Sequence, residues 1–330
     1  MPGAHPDLPR ATAITLSKGW LLAALARIDT DDRARGRVLA LETEFRRRIA
    51  THVESLPLDD ALFAKFNTNP FVLLFHATKK GYTHVSQIEE DILPSKLFAS
   101  METSAGRMVE AVVLPRFGWE CVASAMHTAE SVLDGRKPGS NPLRLATLKS
   151  GPRCLNDEMS ENIADAIVAN CVGWAKAAGV TQIDFTYGVL YGTPKQSNKK
   201  DWHILRKISE KVPATAIKVS PKKAWTCAFK KGGVRVDVTI RVGKSLWDYI
   251  AENDLVFVEL ACALIRACVS PSSTEPADYQ FTIPDLPAIV SLESVPADYN
   301  VSTLQRSQLE WLFFFARHFC DRLVEATPEE

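Results

Sequence analysis

Apolar residues recur at three- and four-residue spacing through the first part of the chain, so residues 12–56 read as helices. Pro57 ends that run. A second helical part follows, holding NPFVLLFHA at 69–77 and the segment from His84 to Phe98. The helical pattern returns from Gly106 to Val113 and is predicted to stop at Leu114-Pro115, because a residue before proline is pushed out of helical backbone. The periodicity then changes. A broken strand over 119–134 and another over 143–149 flank the turn-rich DGRKPGSNP. A helix is predicted over about 157–178, with Asp157, Glu158 and Glu161 at its dipole-favoured start and Gly179 at its C-cap. Strands are expected at 182–192, 217–219 and 233–243, and helices at 246–269 and 307–326 around a proline-bearing connection at 270–297.

The order helix, strand, strand, helix, strand predicts an α/β protein. Three regions follow from it: a mainly helical 1–100, a core over 101–245, and a helical 246–330 with a dimerisation role. Leu309, Leu312, Phe313, Phe319 and Leu323 share the apolar face of the last helix, which reads first as core packing and otherwise as a subunit contact.

At 46% hydrophobic and 24% charged residues, the chain can bury a substantial core. Its 39 Lys and Arg balance 39 Asp and Glu, so net charge favours no partner. No apolar run approaches the roughly 18–20 residues that cross a membrane. The N-terminal MPGAHPDLPR lacks a secretory core, so a cytoplasmic protein is expected. Seven cysteines without CxxC spacing argue against a zinc site or a disulfide framework.

The densest chemistry lies in LDGRKPGSNPLRLATLKSGP, residues 133–152. Asp134 is expected to end one strand and Lys149 the next, so a hairpin would bring both to the same end of the sheet. Phosphodiester hydrolysis uses a divalent cation to polarise phosphate and activate water. Mg²⁺ takes hard oxygen ligands, and an adjacent lysine can orient the attacking water. Spacing alone makes such a pair ordinary. The surroundings add more: Lys149-Ser150-Gly151-Pro152 with Asn156 resembles the KSGP-type third motif of PD-(D/E)XK restriction endonucleases. Asn69-Pro70-Phe71, Gly106, Glu110, Leu114-Pro115-Arg116, Leu133-Asp134, Tyr191-Gly192, Ile204-Leu205-Arg206 and Trp247 extend the resemblance over about residues 67–250. It is to type II enzymes that cut interrupted palindromes of the RGGNCCY kind.

This resemblance implies a restriction-endonuclease-like α/β fold, a mixed central sheet flanked by helices. It implies Mg²⁺-dependent cleavage of double-stranded DNA at a short palindrome, within a restriction-modification system, by a homodimer. Asp134 and the Leu148 carbonyl would hold the metal, Lys149 would be catalytic, and Glu110 would be an accessory acid binding metal through water. Two departures stand out: no proline precedes Asp134, and Thr147 occupies the position of the motif's second acid. Glu110, Glu130, Glu158 and Glu161 are the candidate replacements. The rival readings are another nuclease on the same fold, for repair or DNA structures, and a DNA-binding protein whose centre has decayed.

Residues 193–244 carry fourteen Lys and Arg against three acids, a focus suited to phosphate contacts. Lys195, Gln196, Asn198, Lys199, Lys200, Arg206, Lys222 and Lys223 are the expected DNA-binding residues, with the loop TPKQSNKKDW (193–202) as the main probe. His127 and His203 have no nucleophile nearby in sequence, and Trp174, Trp247 and Trp311 read as packing residues.

Overall fold

The computed structural model describes residues 13–55, 78–81, 86–122, 132–197, 199–212, 215–219, 225–269 and 285–325. The first half contains β1 (Thr15–Ser17), α1 (Lys18–Thr30), α2 (Asp32–Ser55), α3 (Ser86–Arg116), β2 (Glu120–Cys121), β3 (Gly135–Lys137), β4 (Leu143–Lys149) and α4 (Asp157–Ala178). The second contains β5 (Gln182–Val189), α5 (Lys200–Lys211), β6 (Ala216–Val219), β7 (Trp225–Lys231) and β8 (Val234–Val242). It closes with α6 (Lys244–Ala251), α7 (Val256–Cys268), α8 (Leu286–Val290), α9 (Leu309–Arg317) and β9 (Arg322–Val324).

Seven strands form one mixed sheet in the order β2-β3-β4-β5-β8-β7-β6. The central β4, β5 and β8 are parallel, and both flanks are antiparallel. Parallel neighbours need a crossover, which α4 supplies between β4 and β5. Both faces are covered, and β4 shows why. Leu143 and Leu145 enter an apolar cluster with α4 and α5, whereas Ala146 and Leu148 enter another with α3, α6 and the terminal helices. Phe185, Tyr187 and Val189 of β5 also face α4 and α5. On the opposite face Gly188 leaves room for α6: a Cβ there would lie 2.6 Å from Leu246 Cδ1. Among the described residues no helix is long and apolar enough to cross a membrane.

Several boundaries differ from the sequence expectation. The helix before the sheet is one 31-residue element, α3, that carries Pro115 in its last turn instead of stopping before it. The strand expected over 119–134 is the two-residue β2 followed by 123–131, outside the described residues, and Asp134 precedes β3 instead of ending a strand. The expected helix 246–269 is broken at Glu252, which adopts φ 54°, and Asn253 caps the new start by accepting from the Leu255 N–H. The expected helix 307–326 ends at Arg317, and Leu323 belongs instead to β9, paired in parallel with β1. The strand β7 escaped notice because its buried Trp225, Cys227 and Phe229 alternate beside a lysine pair.

Helix α7 is buried within its own chain, with Phe257, Val258, Ala261 and Cys262 all fully covered. Trp174 and Trp247 pack in the interior as expected, but Trp311 is 44% exposed. The buried face of α9 is Leu309, Leu312, Phe313 and Ala316, which pack on this chain's core.

An ion pair ties α2 to α7. Glu259 is fully buried, and its carboxylate accepts from Arg37 Nε at 2.8 Å, Arg37 Nη2 at 2.6 Å and Asn253 Nδ2 at 3.1 Å. Removing one partner of such a pair strands a charge. Arg37→Ala should therefore cost about 3–5 kcal/mol in urea unfolding, and Arg37→Ala combined with Glu259→Met should recover most of it.

Candidate active site

A five-residue turn, Pro138–Pro142, joins β3 to β4. Gly139 takes φ +68°, and the Ser140 hydroxyl accepts from the Arg144 N–H while donating to the Lys137 carbonyl. The resulting register places Gly135 opposite Ala146. Asp134 therefore lies beside Thr147, at the end of β4 that carries Lys149. Its N–H donates to the Ala146 carbonyl at 2.9 Å, and its Oδ2 accepts from the Leu148 N–H at 2.6 Å. The hairpin thus brings Asp134 and Lys149 to one end of the sheet, as the sequence suggested.

A third group arrives from α3. Gly106 approaches so closely that a Cβ there would sit 3.0 Å from Ser150 Cβ. Residues four apart share a helix face, so this contact turns Glu110 toward the same strand ends. Burial pushes the Glu110 carboxyl up to about 7, and the neighbouring Asp134 charge pushes in the same direction. Lys149 and Arg107 oppose them. Asp134 is likewise raised by burial, against the Leu148 N–H bond and the Lys149 ammonium. Glu110, Asp134 and Lys149 lie within one another's field.

Thr147 does not replace a carboxylate. Its side chain is buried, and its hydroxyl donates to the Val132 carbonyl. Of the other candidate acids, Glu130 lies outside the described residues, and Glu161 pairs with Lys207 and Lys211 on α5. Glu158 is exposed on α4. Among the described residues, Glu110 is the candidate acid whose charge couples to Asp134.

The donor set suits a hard divalent cation. Two carboxylates that repel each other in a buried place gain from one. The N–H and C=O of a strand residue leave on the same side, so the Leu148 carbonyl projects from the edge that faces Asp134. No three His, Cys, Asp or Glu side chains gather at one point among the described residues. A metal here would depend on Glu110, Asp134, the Leu148 carbonyl and oxygens from outside the protein.

The turn after β4 interlocks with the turn after β5. A Cβ on Gly151 would lie 2.8 Å from Tyr191 Oη, and one on Gly192, at φ +95°, would lie 2.8 Å from Pro152. The Lys149-Ser150-Gly151-Pro152 segment is therefore shaped by close packing against Tyr191-Gly192.

The basic stretch is not one surface. Lys230, Lys231 and Arg235 lie at the opposite end of the sheet from Lys149, where Lys231 Nζ donates to the Val168 carbonyl and Arg235 pairs with Asp237. Lys207 and Lys211 pair with Glu161 and, for Lys211, Asp165 on α4. Arg241 is covered by Tyr249, its guanidinium 4.1 Å from the ring centroid. The loop expected over 193–202 stops at Lys199, because Asp201 and Trp202 are buried in α5. Lys195 and Lys199 are exposed at the Lys149 end, and Arg206 is half-buried on α5. Lys200 Nζ is 2.6 Å from Asp157, which also meets His203 at 3.0 Å. The Gln196 side-chain oxygen accepts from the Thr193 N–H, so it shapes the loop. Asn198, Lys222, Lys223, His127 and Asn69–Phe71 lie outside the described residues. Val219 and Trp225, which flank 220–224, do lie at the Lys149 end of the sheet.

No protein-family model and no curated protein matches this chain.

The site includes residues missed in the sequence. Arg107 and Cys121 both couple electrostatically to Glu110. Tyr187 pairs with Thr147 across β4 and β5 and feels the charge of Asp134. Only Arg107, one turn from Glu110, carried a sequence signal.

Because folding raises the Glu110 value, this carboxyl stabilises the fold most when protonated, and that contribution is lost as pH rises toward about 7. Metal-free Glu110→Gln should match the parent near pH 5 and exceed it by roughly 2 kcal/mol near pH 8. Urea unfolding at the two pH values measures this. Equal stability differences at both would place Glu110 in solvent.

Proposed function

We propose that the protein is a Mg²⁺-dependent phosphodiester hydrolase acting on DNA, a nuclease of the PD-(D/E)XK type. The observation that carries this reading is the meeting of Glu110, Asp134 and Lys149 at one end of a sheet whose β3–β4 hairpin displays the last two. The mixed sheet with crossover α4 is compatible with a restriction-endonuclease-like fold, and the Lys149-Ser150-Gly151-Pro152 turn supports the same assignment.

In this reading Glu110 takes the place of the acid missing at Thr147. Glu110, Asp134 and the Leu148 carbonyl would hold Mg²⁺, which supplies polarisation of the phosphate and activation of water when bound. Lys149, as an ammonium, would orient the attacking water and stabilise charge on the phosphate oxygens. The water oxygen forms the new bond to phosphorus as its proton passes to solvent, and the bond to the 3′ oxygen breaks. The products are a 5′-phosphate and a 3′-hydroxyl, which takes its proton from solvent. Lys195 and Lys199, with Arg107 and Arg153 from outside the basic stretch, would meet the DNA backbone.

Our preferred assignment within this class is a type II restriction endonuclease that cuts a short palindrome as a homodimer, since a two-fold enzyme places one centre on each strand. The partial dispersal of the basic stretch keeps a repair or structure-specific nuclease as the second reading.

Plasmid DNA incubated with protein and Mg²⁺ should give discrete ends on sequencing. Lys149→Ala and Asp134→Ala should abolish cutting. Glu110→Gln should lose at least about 100-fold in rate, whereas Thr147→Ala should lose roughly tenfold, about 1.4 kcal/mol of barrier. A folded Thr147→Ala as inactive as Asp134→Ala would contradict the role given to Glu110.

A further inference from the structure

A cavity of about 680 Å³ lies against the turn after β4, within the roughly 300–1,000 Å³ of ordinary ligand clefts. Val109, next to Glu110 on α3, and Ser150, next to Lys149, both line it. Tyr191, Trp247, Phe314 and His318 make much of the remaining wall aromatic. Tyr191 is 45% exposed, and Phe314 meets His318 edge-on with centroids 4.9 Å apart. A second cavity of about 450 Å³ shares Tyr191, Phe314 and His318 with the first. Its lining adds Arg153 and Arg317 against one carboxylate, Asp285.

Flat aromatic walls, cations at the adjoining space and a lining that includes the chain neighbours of Glu110 and Lys149 match a planar ring on a phosphate chain. Base–aromatic stacking tolerates any base, and arginines beside it track the backbone. We infer that this cleft takes an unpaired nucleobase of the strand whose phosphate lies at Asp134 and Lys149. The inference rests on the nuclease reading for the identity of that strand. The base can come from a single-stranded segment or be extruded from a duplex; the chemistry that recognises it is the same.

A short oligothymidylate carrying one 2-aminopurine, alone or annealed to its complement, tests this with the full-length protein in Ca²⁺. The parent protein should bind the single strand and change the emission of the probe. Phe314→Leu, which keeps apolar bulk without a ring, and Tyr191→Ala should each weaken binding about tenfold, equivalent to about 1.4 kcal/mol. An emission change in the annealed arm as well assigns the base to extrusion; a change in the single strand alone assigns it to unpaired substrate. Absence of binding, an unchanged emission, or variants that bind like the parent would overturn the inference. So would sedimentation in which Phe314→Leu turns a dimer into monomers, since the cleft would then belong to a second copy. Plasmid cleavage by the same preparations separates the two ideas: cutting without the emission change leaves the nuclease and removes the base site, and the reverse result removes the nuclease.

Discussion

Glu110 and Asp134 are held in each other's field at a buried end of the sheet, an arrangement that costs free energy unless a proton or a cation shares it. The protein maintains it through backbone geometry. The hairpin register fixes Asp134 against the Leu148 N–H, and the close approach of Gly106 to Ser150 sets the face of α3 that Glu110 occupies. Lys149 supplies the compensating charge on the same strand end. Without a divalent ion Glu110 holds a proton more readily than an ordinary carboxyl, chiefly through burial and then through the nearby Asp134 charge.

The same geometry accounts for Thr147. A carboxylate at that position would bring a further negative charge to the strand neighbouring Asp134. The hydroxyl instead satisfies the Val132 carbonyl. In the proposed reading the acid would come from across the sheet end, from Glu110 on α3, so a motif defined by positions along one strand has no sight of it.

Much of the sheet was legible in the chain. The strand at 143–149 and the helix at 157–178 follow directly from alternation, from caps at Asn156 and Gly179, and from charge at the helix start. The convergence of Asp134 and Lys149 was legible too, since a hairpin needs only a turn and two short strands. Glu110 was named, but its coupling to Asp134 depends on the tertiary contact at Gly106, which local pattern does not encode. The basic stretch misled for a related reason. Its cations alternate between sheet ends and helix faces, so contiguity in sequence became dispersal in space, with Lys207 and Lys211 spent on α4 acids. The shift of Leu323 into a strand arises from its pairing with Leu16 at the other end of the chain, and the break at Glu252 from a left-handed backbone that composition does not announce.

In the proposed function Glu110 and Asp134 together hold a divalent ion. Metal binding to a group that is protonated beforehand must release that proton. Calorimetric titration with Mg²⁺, repeated in buffers of different ionisation enthalpy about one pH unit below the Glu110 value, counts the protons released. The parent protein should release close to one proton per ion, and Glu110→Gln close to none. Binding by the parent with no proton release, or equal release by both proteins, would contradict the shared site.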